Sequence, residues 1–348
     1  MKPRKRKPPK SLEALLKNLE AANSHPSYSL DHLKDLAEDV DTVIEKIDML
    51  EQSFAPGKDD SEIEEMIETF MQNSLLLIDN HYELQSILLL ILAKLSIIKF
   101  QSFGLKCFTT LKDLMKSGRD MEVKVQEVLR TEVINKMRQQ DPTQIPVSLL
   151  IGLYELVEDT ENTDMLTGMF EMCFPVWLQS YCVKLDQCKA QRIMMGNDDH
   201  YDAIISLVSV SVKDNEENVD RVLDKELTPY IIKIIHSSNW EHERYIPCLN
   251  LIARLSNSRE ELAELFMDGL VHKILLDQIK KSLKNYKKFN SLFDESSKET
   301  VEQQMLKYQT LAAEITTLGG LLLSKTQNRL LILNDPVVVD LISIMGHQ

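Results

Sequence analysis

Glycine is scarce in this 348-residue chain, with 10 copies, and aromatic side chains make up only 6% of it. Sheets draw on aromatic and β-branched residues in alternation, and no stretch here alternates for long, which argues against any sheet. Glycine-patterned phosphate sites are missing too: Gly57-Lys58 lacks the upstream glycine and the following Ser or Thr of a phosphate loop. No GxSxG, kinase set or dinucleotide fingerprint occurs. Trp240-Glu241-His242-Glu243 lacks the second histidine of a zinc-binding HExxH, and in Asp198-Asp199-His200 adjacent side chains diverge. The five cysteines (Cys107, Cys173, Cys182, Cys188, Cys248) are odd in number and form no CxxC. They read as buried thiols of a reducing compartment, with no disulfide framework. The longest apolar run, Ile87–Ile98, contains Lys94 and is too short to span a bilayer, and Glu13 and Lys17 break any leader-like region. The expectation is a soluble intracellular protein with no catalytic residue, metal or cofactor.

What the chain does hold is helix-forming residues with an internal rhythm. Hydrophobic residues at 43% suffice for a large core, and Leu, Ile, Glu, Lys and Met dominate. Residues 207–235, 251–279 and 318–345 share one layout: an apolar helix, a polar break, an amphipathic helix, a turn-forming junction and a third apolar helix. Asn218, Glu261 and Asn328 fall just inside the second helix of each. The first step is 43 residues; the second is 67, an excess matched by the Lys/Ser-rich stretch Lys280–Gln303. Residues 149–181 fit the same template with Asn162 in register, given an insertion over Cys188–His200. Such units cannot bury their apolar faces alone and must stack. An irregular all-α domain is the alternative. Gly319-Gly320 predicts close helix–helix approach, and Trp177, Trp240 and the methionines Met165, Met169, Met172, Met194 and Met195 read as core.

The stretch Cys248–Leu276, with Asn250, Leu255-Ser256-Asn257 and Asp268-Gly269, resembles the armadillo consensus. The resemblance to the armadillo/HEAT-like superfamily spans about residues 80–345 and implies a right-handed α-solenoid that binds proteins. The asparagine ladder that holds extended peptides in this superfamily is not repeated here, since Ile232, Ile274 and Ile342 take the third-helix positions.

Three regions are expected: a disordered basic tail over 1–10, N-terminal helices over 11–60, and the solenoid over 61–348. The tail packs six basic residues and three prolines into ten positions, and Arg4, Lys5, Arg6 and Lys7 read as a nuclear localisation signal for an import receptor. A solubilising tail or a phosphate-touching arm are the alternatives. Leu33, Leu36, Val40, Val43, Ile47, Leu50 and Phe54 alternate spacings of three and four, a heptad stripe. It predicts either self-association as a homodimer through residues 29–54 or a capping helix. From Tyr82 to Phe100 the pattern predicts a helix buried on most sides.

Charge is uneven. Residues 29–70 carry a net charge of −11 out of −14 for the chain. Lys280, Lys281, Lys284, Lys287 and Lys288 gather, interleaved with Tyr286 and Phe289; Lys280, Lys284, Lys287 and Lys288 share one helical face, which can serve an acidic protein segment, nucleic acid or plain solvation. At a pI of about 5.1 nucleic acid is the disfavoured partner. The reading as a whole is a non-enzymatic protein-binding scaffold, a helix or extended peptide lying in its groove, in a nuclear assembly of transcription, RNA processing or chromosome biology. A cytoplasmic client-binding chaperone or exchange factor and a nucleic-acid-binding solenoid are the alternatives. Replacing the five lysines by Glu is expected to leave RNA and DNA binding unchanged at every salt concentration; a salt-dependent loss would establish the lysine face as a phosphate site.

Overall fold

Helices account for every regular element that the computed structural model describes, which covers residues 68–69, 71–76, 78, 82–97, 101–137, 144–191, 199–237, 245–290 and 301–345. Among these described residues there is no strand. The described part of the chain is therefore all-α. It divides into two units, one running to Asp159 and one from Thr160. The basic tail, the heptad stripe, Trp240, Met194 and Met195 lie outside the described residues.

In the first unit α1 (Tyr82–Leu95), α2 (Gln101–Lys116) and α3 (Arg119–Val128) pack on one another. Leu88, Leu89, Ile91, Leu92, Ala93 and Leu95 of α1 are all buried, as an apolar run without a polar face requires. After α3 the chain widens into a π-helical stretch, Leu129–Ile134, before α4 (Asn135–Met137). The spacing explains it. Val125, Leu129, Val133 and Met137 recur every fourth residue and are all fully buried. On a 3.6-residue helix each such step drifts by about 40°, so a wider turn is needed to keep all four on one face. The last helix of this unit, α5 (Val147–Thr160), approaches α2 closely. A Cβ on Gly152 would lie 2.7 Å from the Phe108 ring. Lys112 reaches Asp159 at 2.8 Å and Glu155 at 3.5 Å on the same helix.

The second unit opens with a 3-10 turn (Thr163–Leu166), α6 (Thr167–Met172) and α7 (Phe174–Ala190). Three triplets follow: α8 (Asp199–Ser211), α9 (Glu216–Asp224) and α10 (Thr228–Ser237); α11 (Tyr245–Ser258), α12 (Glu260–Asp268) and α13 (Val271–Asn290); α14 (Val301–Leu321), α15 (Thr326–Leu333) and α16 (Pro336–Met345). Like packs on like. First helices stack α8–α11–α14, third helices α7–α10–α13–α16, and second helix α6 meets α9. The first helices α8 and α11 are apolar nearly all round and end up buried; α11 hides Cys248, Leu249, Leu251, Ile252, Ala253 and Leu255. The second helices α9 and α12 are short and two-faced, with acids in the first turn (Glu216 and Glu217, Glu260 and Glu261) facing the positive helix end. Three of the four third helices open on proline in the first turn, at Pro175, Pro229 and Pro336, where a missing N–H costs nothing.

The junctions repeat at backbone level as well. Glu161 (φ 54°) and Asp214 (φ 54°) hold the left-handed conformation just before a second helix; Glu226 (φ 51°) and Leu270 (φ 60°) hold it just before a third. Gly320 meets the expectation of close approach, since a Cβ there would lie 3.2 Å from Ser256 and Asn257 of α11, whereas Gly319 faces open space. Trp177, Met165 and Met169 are buried as expected.

The register needs one correction. Asn218, Glu261 and Asn328 are indeed the third, second and third residues of their helices, but Asn162 is the N-cap of its turn and corresponds to Asn215. Capping positions Asn162, Asn215, Arg259 and Lys325 are thus 53, 44 and 66 residues apart. Of the two expected insertions, Cys188–Ala190 ends α7 and Lys280–Asn290 continues α13; both are helix extensions over those residues.

Asn215 and Asn218 lock the first seam. Asn215 caps α9 by accepting the Asn218 N–H at 2.9 Å, and its amide donates to Thr163 at 2.8 Å and Asp164 at 2.9 Å. Asn218 is fully buried. Its amide donates to the Ser211 carbonyl at 2.8 Å, an orphan of the α8 C-terminus, and its oxygen accepts from Thr167 at 3.0 Å. Truncation to Ala strips partners from buried groups, which costs about 2 kcal/mol. Asn218→Ala is therefore expected to lower the Tm by roughly 4–8 °C in a thermal melt of the chain.

Candidate interaction surface

A scaffold displays what its stacking leaves uncovered, so the surface follows from the seams. Along the second helices the seams carry ion pairs in a repeating direction. Arg221 of α9 reaches Glu171 of α6 at 2.9 Å, and Lys225 pairs with the same carboxylate. Arg259, at the N-cap of α12, reaches Asp220 of α9 at 2.9 Å and Glu216 at 3.2 Å. Lys325, at the N-cap of α15, reaches Glu264 of α12 at 2.5 Å. Lys225 and Arg221 hold the Glu171 carboxyl below its ordinary value, and Asp220 and Glu216 raise the Arg259 guanidinium. These pairs face solvent, so they set register more than they add stability. Asp220 and Glu264 each stand five residues past their cap; at that place α15 carries Leu330, half exposed beside Leu331 and Leu333. None of these rungs stands out in sequence, where they read as ordinary helix-surface charges. Arg254 was equally unmarked: its guanidinium donates to the Ser209 carbonyl at 2.5 Å and tethers α11 to α8.

The third helices show a mixed face. On α7, Val176 and Val183 are 58% and 50% exposed about two turns apart; on α16, Val339 and Ile342 are 61% and 60% exposed. Between them the row is polar: Lys233 of α10 pairs with Asp186 of α7 at 2.5 Å, and the His236 ring bonds to the Gly269 carbonyl at 2.7 Å. Of the isoleucines at the third-helix positions, Ile342 faces out, Ile274 is half-buried, and Ile232 is spent on the seam. A Cβ on Gly269 would lie 2.7 Å from the Ile232 side chain, so glycine is needed there for close approach.

Lys280, Lys281 and Lys284 lie exposed on α13. The same helix spans Lys287 and Lys288, whose side chains lie outside the described residues, as do Arg4, Lys5, Arg6, Lys7 and the stripe from Leu33 to Phe54. Three buried thiols are held away from nucleophilic chemistry. Burial pushes Cys182 up to about 11 and Cys248 up to about 12, and raises Cys107 as well. Burial and the neighbouring Lys273 lower the His272 imidazole. Among the described residues no cluster of His, Cys, Asp and Glu could hold a metal ion, and no helix is long and apolar enough to cross a membrane.

Reversing one charge of the outermost rung, Glu264→Lys or Lys325→Glu, is expected to lower the Tm slightly at low salt. The double reversal restores it, and the differences vanish at high salt because exposed pairs are screened. A salt-independent loss in the double variant would show that these side chains act by packing.

No protein-family model and no curated protein matches the chain. Among solved structures it is similar to the crystal structure of Uso1-1, with a TM-score of 0.46 at 13% identity, covering 94% of this chain and 48% of that one. Two engineered proteins also match at 10% identity: one with a TM-score of 0.39 over 90% of this chain and 71% of that one, the other with 0.26 over 86% and 97%. The chain thus spans about half the length of the Uso1-1 chain it matches.

Proposed function

We propose that the chain is a non-enzymatic protein-interaction scaffold built as a right-handed armadillo/HEAT-like solenoid, and that it serves a nuclear assembly. The observation that carries this reading is the stacking of equivalent helices in the second unit, third helix on third helix from α7 to α16. A stack of that kind presents a line of side chains from successive units on one side, a surface suited to a helix or an extended peptide. Val176 and Val183 at one end and Val339 and Ile342 at the other supply its apolar anchors. The basic run Arg4–Lys7 is the proposed address for an import receptor, and the stripe Leu33–Phe54 the proposed self-association or capping element. A second reading rests on Lys280, Lys281 and Lys284, which all face solvent on α13 and would suit an acidic protein segment or a nucleic-acid backbone.

The test is affinity purification of the intact chain from nuclear and cytosolic extracts, with the double variant Val176→Glu and Val183→Glu alongside. The wild type is expected to recover a defined nuclear set of proteins that the variant loses while keeping its helical circular dichroism. Recovery of a varied cytosolic set would favour a client-binding chaperone, and an unchanged set in the variant would remove the third-helix surface.

A further inference from the structure

Among the described residues one carboxylate is buried: Glu314 on α14, only 2% exposed. It lies where α14 packs against both α11 and α13. Its Oε2 accepts from the Ser282 hydroxyl of α13 at 3.4 Å, a long bond. On the α11 side it faces the buried Tyr245, which lies beside Cys248, and burial keeps both neutral. The described cations of α13 point elsewhere, with Lys273, Lys280, Lys281 and Lys284 all at the surface. The remaining neighbour, α12, brings the acids Glu260, Glu261, Glu264 and Asp268, and its Glu264 is bonded to Lys325. No ion pair offsets a negative charge at Glu314 among the described residues.

The seam around it is tight. One turn along α14, the Thr317 hydroxyl lies 3.0 Å from the Leu249 carbonyl of α11 and 2.7 Å from that of Ala313. Two turns along, Gly320 lies against Ser256 and Asn257. A protonated carboxyl fits such a site as a small polar group with one donor and one acceptor. An ionised one is a desolvated charge without a partner.

We propose that the junction of α11, α13 and α14 is a proton-operated latch: with its proton Glu314 lets α13 and α14 close on α11, and without it they part to hydrate the carboxylate. The α13 helix that would move is the one bearing the exposed lysine face, so the latch places that face under the control of pH. Burial pushes the Glu314 carboxyl up to about 7 in the closed form. A raised folded-state value stabilises the closed form below the ordinary glutamate value of about 4.3, and that stabilisation is lost as pH rises to about 7. Above that pH the opening constant levels off, because open and closed forms then carry the same charge.

The experiment compares the intact wild-type chain with Glu314→Gln, which keeps the shape and removes the titration. The ratio of the wild-type to the variant unfolding constant, from urea titrations, is expected to rise about tenfold per pH unit between pH 5 and 7, then to flatten. Hydrogen exchange, corrected for its intrinsic pH dependence, is expected to show the wild-type protection loss in α13 and α14 while α8 to α10 stay protected. A constant ratio, or protection lost in step across the whole second unit, would overturn the latch. Should Glu314→Gln fail to fold, difference infrared spectroscopy of the wild type decides: a protonated-carboxyl band at pH 6 that is gone at pH 8 supports it, and absence of that band at pH 6 overturns it.

Discussion

Short helices need neighbours, and that need governs the second unit. Its second helices α9, α12 and α15 run to 9, 9 and 8 residues, below the roughly 12–15 at which an isolated helix becomes even marginal in water. Their persistence must come from apolar faces set against other helices. Val219 and Val222 of α9 and Leu262, Ala263, Phe266 and Met267 of α12 form such faces, all buried. Each triplet is then completed only by the next, which stacks first helix on first and third on third. Stability and architecture follow from the same requirement.

Apolar stacking alone tolerates slippage, and the polar groups at the seams remove it. Asn218 joins the end of α8 and the start of α6, Arg254 reaches from α11 to a carbonyl of α8, and Thr317 reaches from α14 toward a carbonyl of α11. All three act on backbone carbonyls or their immediate neighbours, so a slip of one residue would strand a buried partner. The charged rungs at Arg259 and Lys325 repeat the same register at the surface, where their energetic share is small but their geometry is specific. Close approach is then set by small residues, Gly269 beneath Ile232 and Gly320 beneath Ser256.

Much of this was readable from the residues, and the exceptions have physical causes. Helical periodicity located the triplets, and the apolar run after Tyr82 correctly announced a buried helix, because both depend on side-chain spacing alone. Capping was harder. Asn162 and Asn218 look alike in sequence, but only the backbone shows that the first stands at an N-cap and the second three residues past one. The left-handed residues Glu161, Asp214, Glu226 and Leu270 carry no glycine signal, since the surrounding turns impose the conformation. The π-helical stretch after Leu129 was hidden because spacing by four resembles ordinary helix spacing until its drift is followed over three turns. Of the proposed surface, the lysines of α13 were visible as a face, while the exposed valines of α7 were masked by the apolar residues that bury beside them.

Glu314 is where these themes meet. Everywhere else in the described seams a buried polar side chain is neutral, or reaches a carbonyl with a donor, so ionisation never competes with packing. At Glu314 the group brings an acceptor that the Ser282 hydroxyl meets at long range and, among the described residues, no cation pairs with, in a seam narrowed by Gly320 and held by Thr317. Water cannot reach the carboxylate while α11, α13 and α14 remain in contact. The charge can therefore be relieved in only two ways, by binding a proton or by separating the helices. A leucine there would stack as well and respond to nothing; a glutamate makes this contact of α11, α13 and α14 conditional on solvent pH.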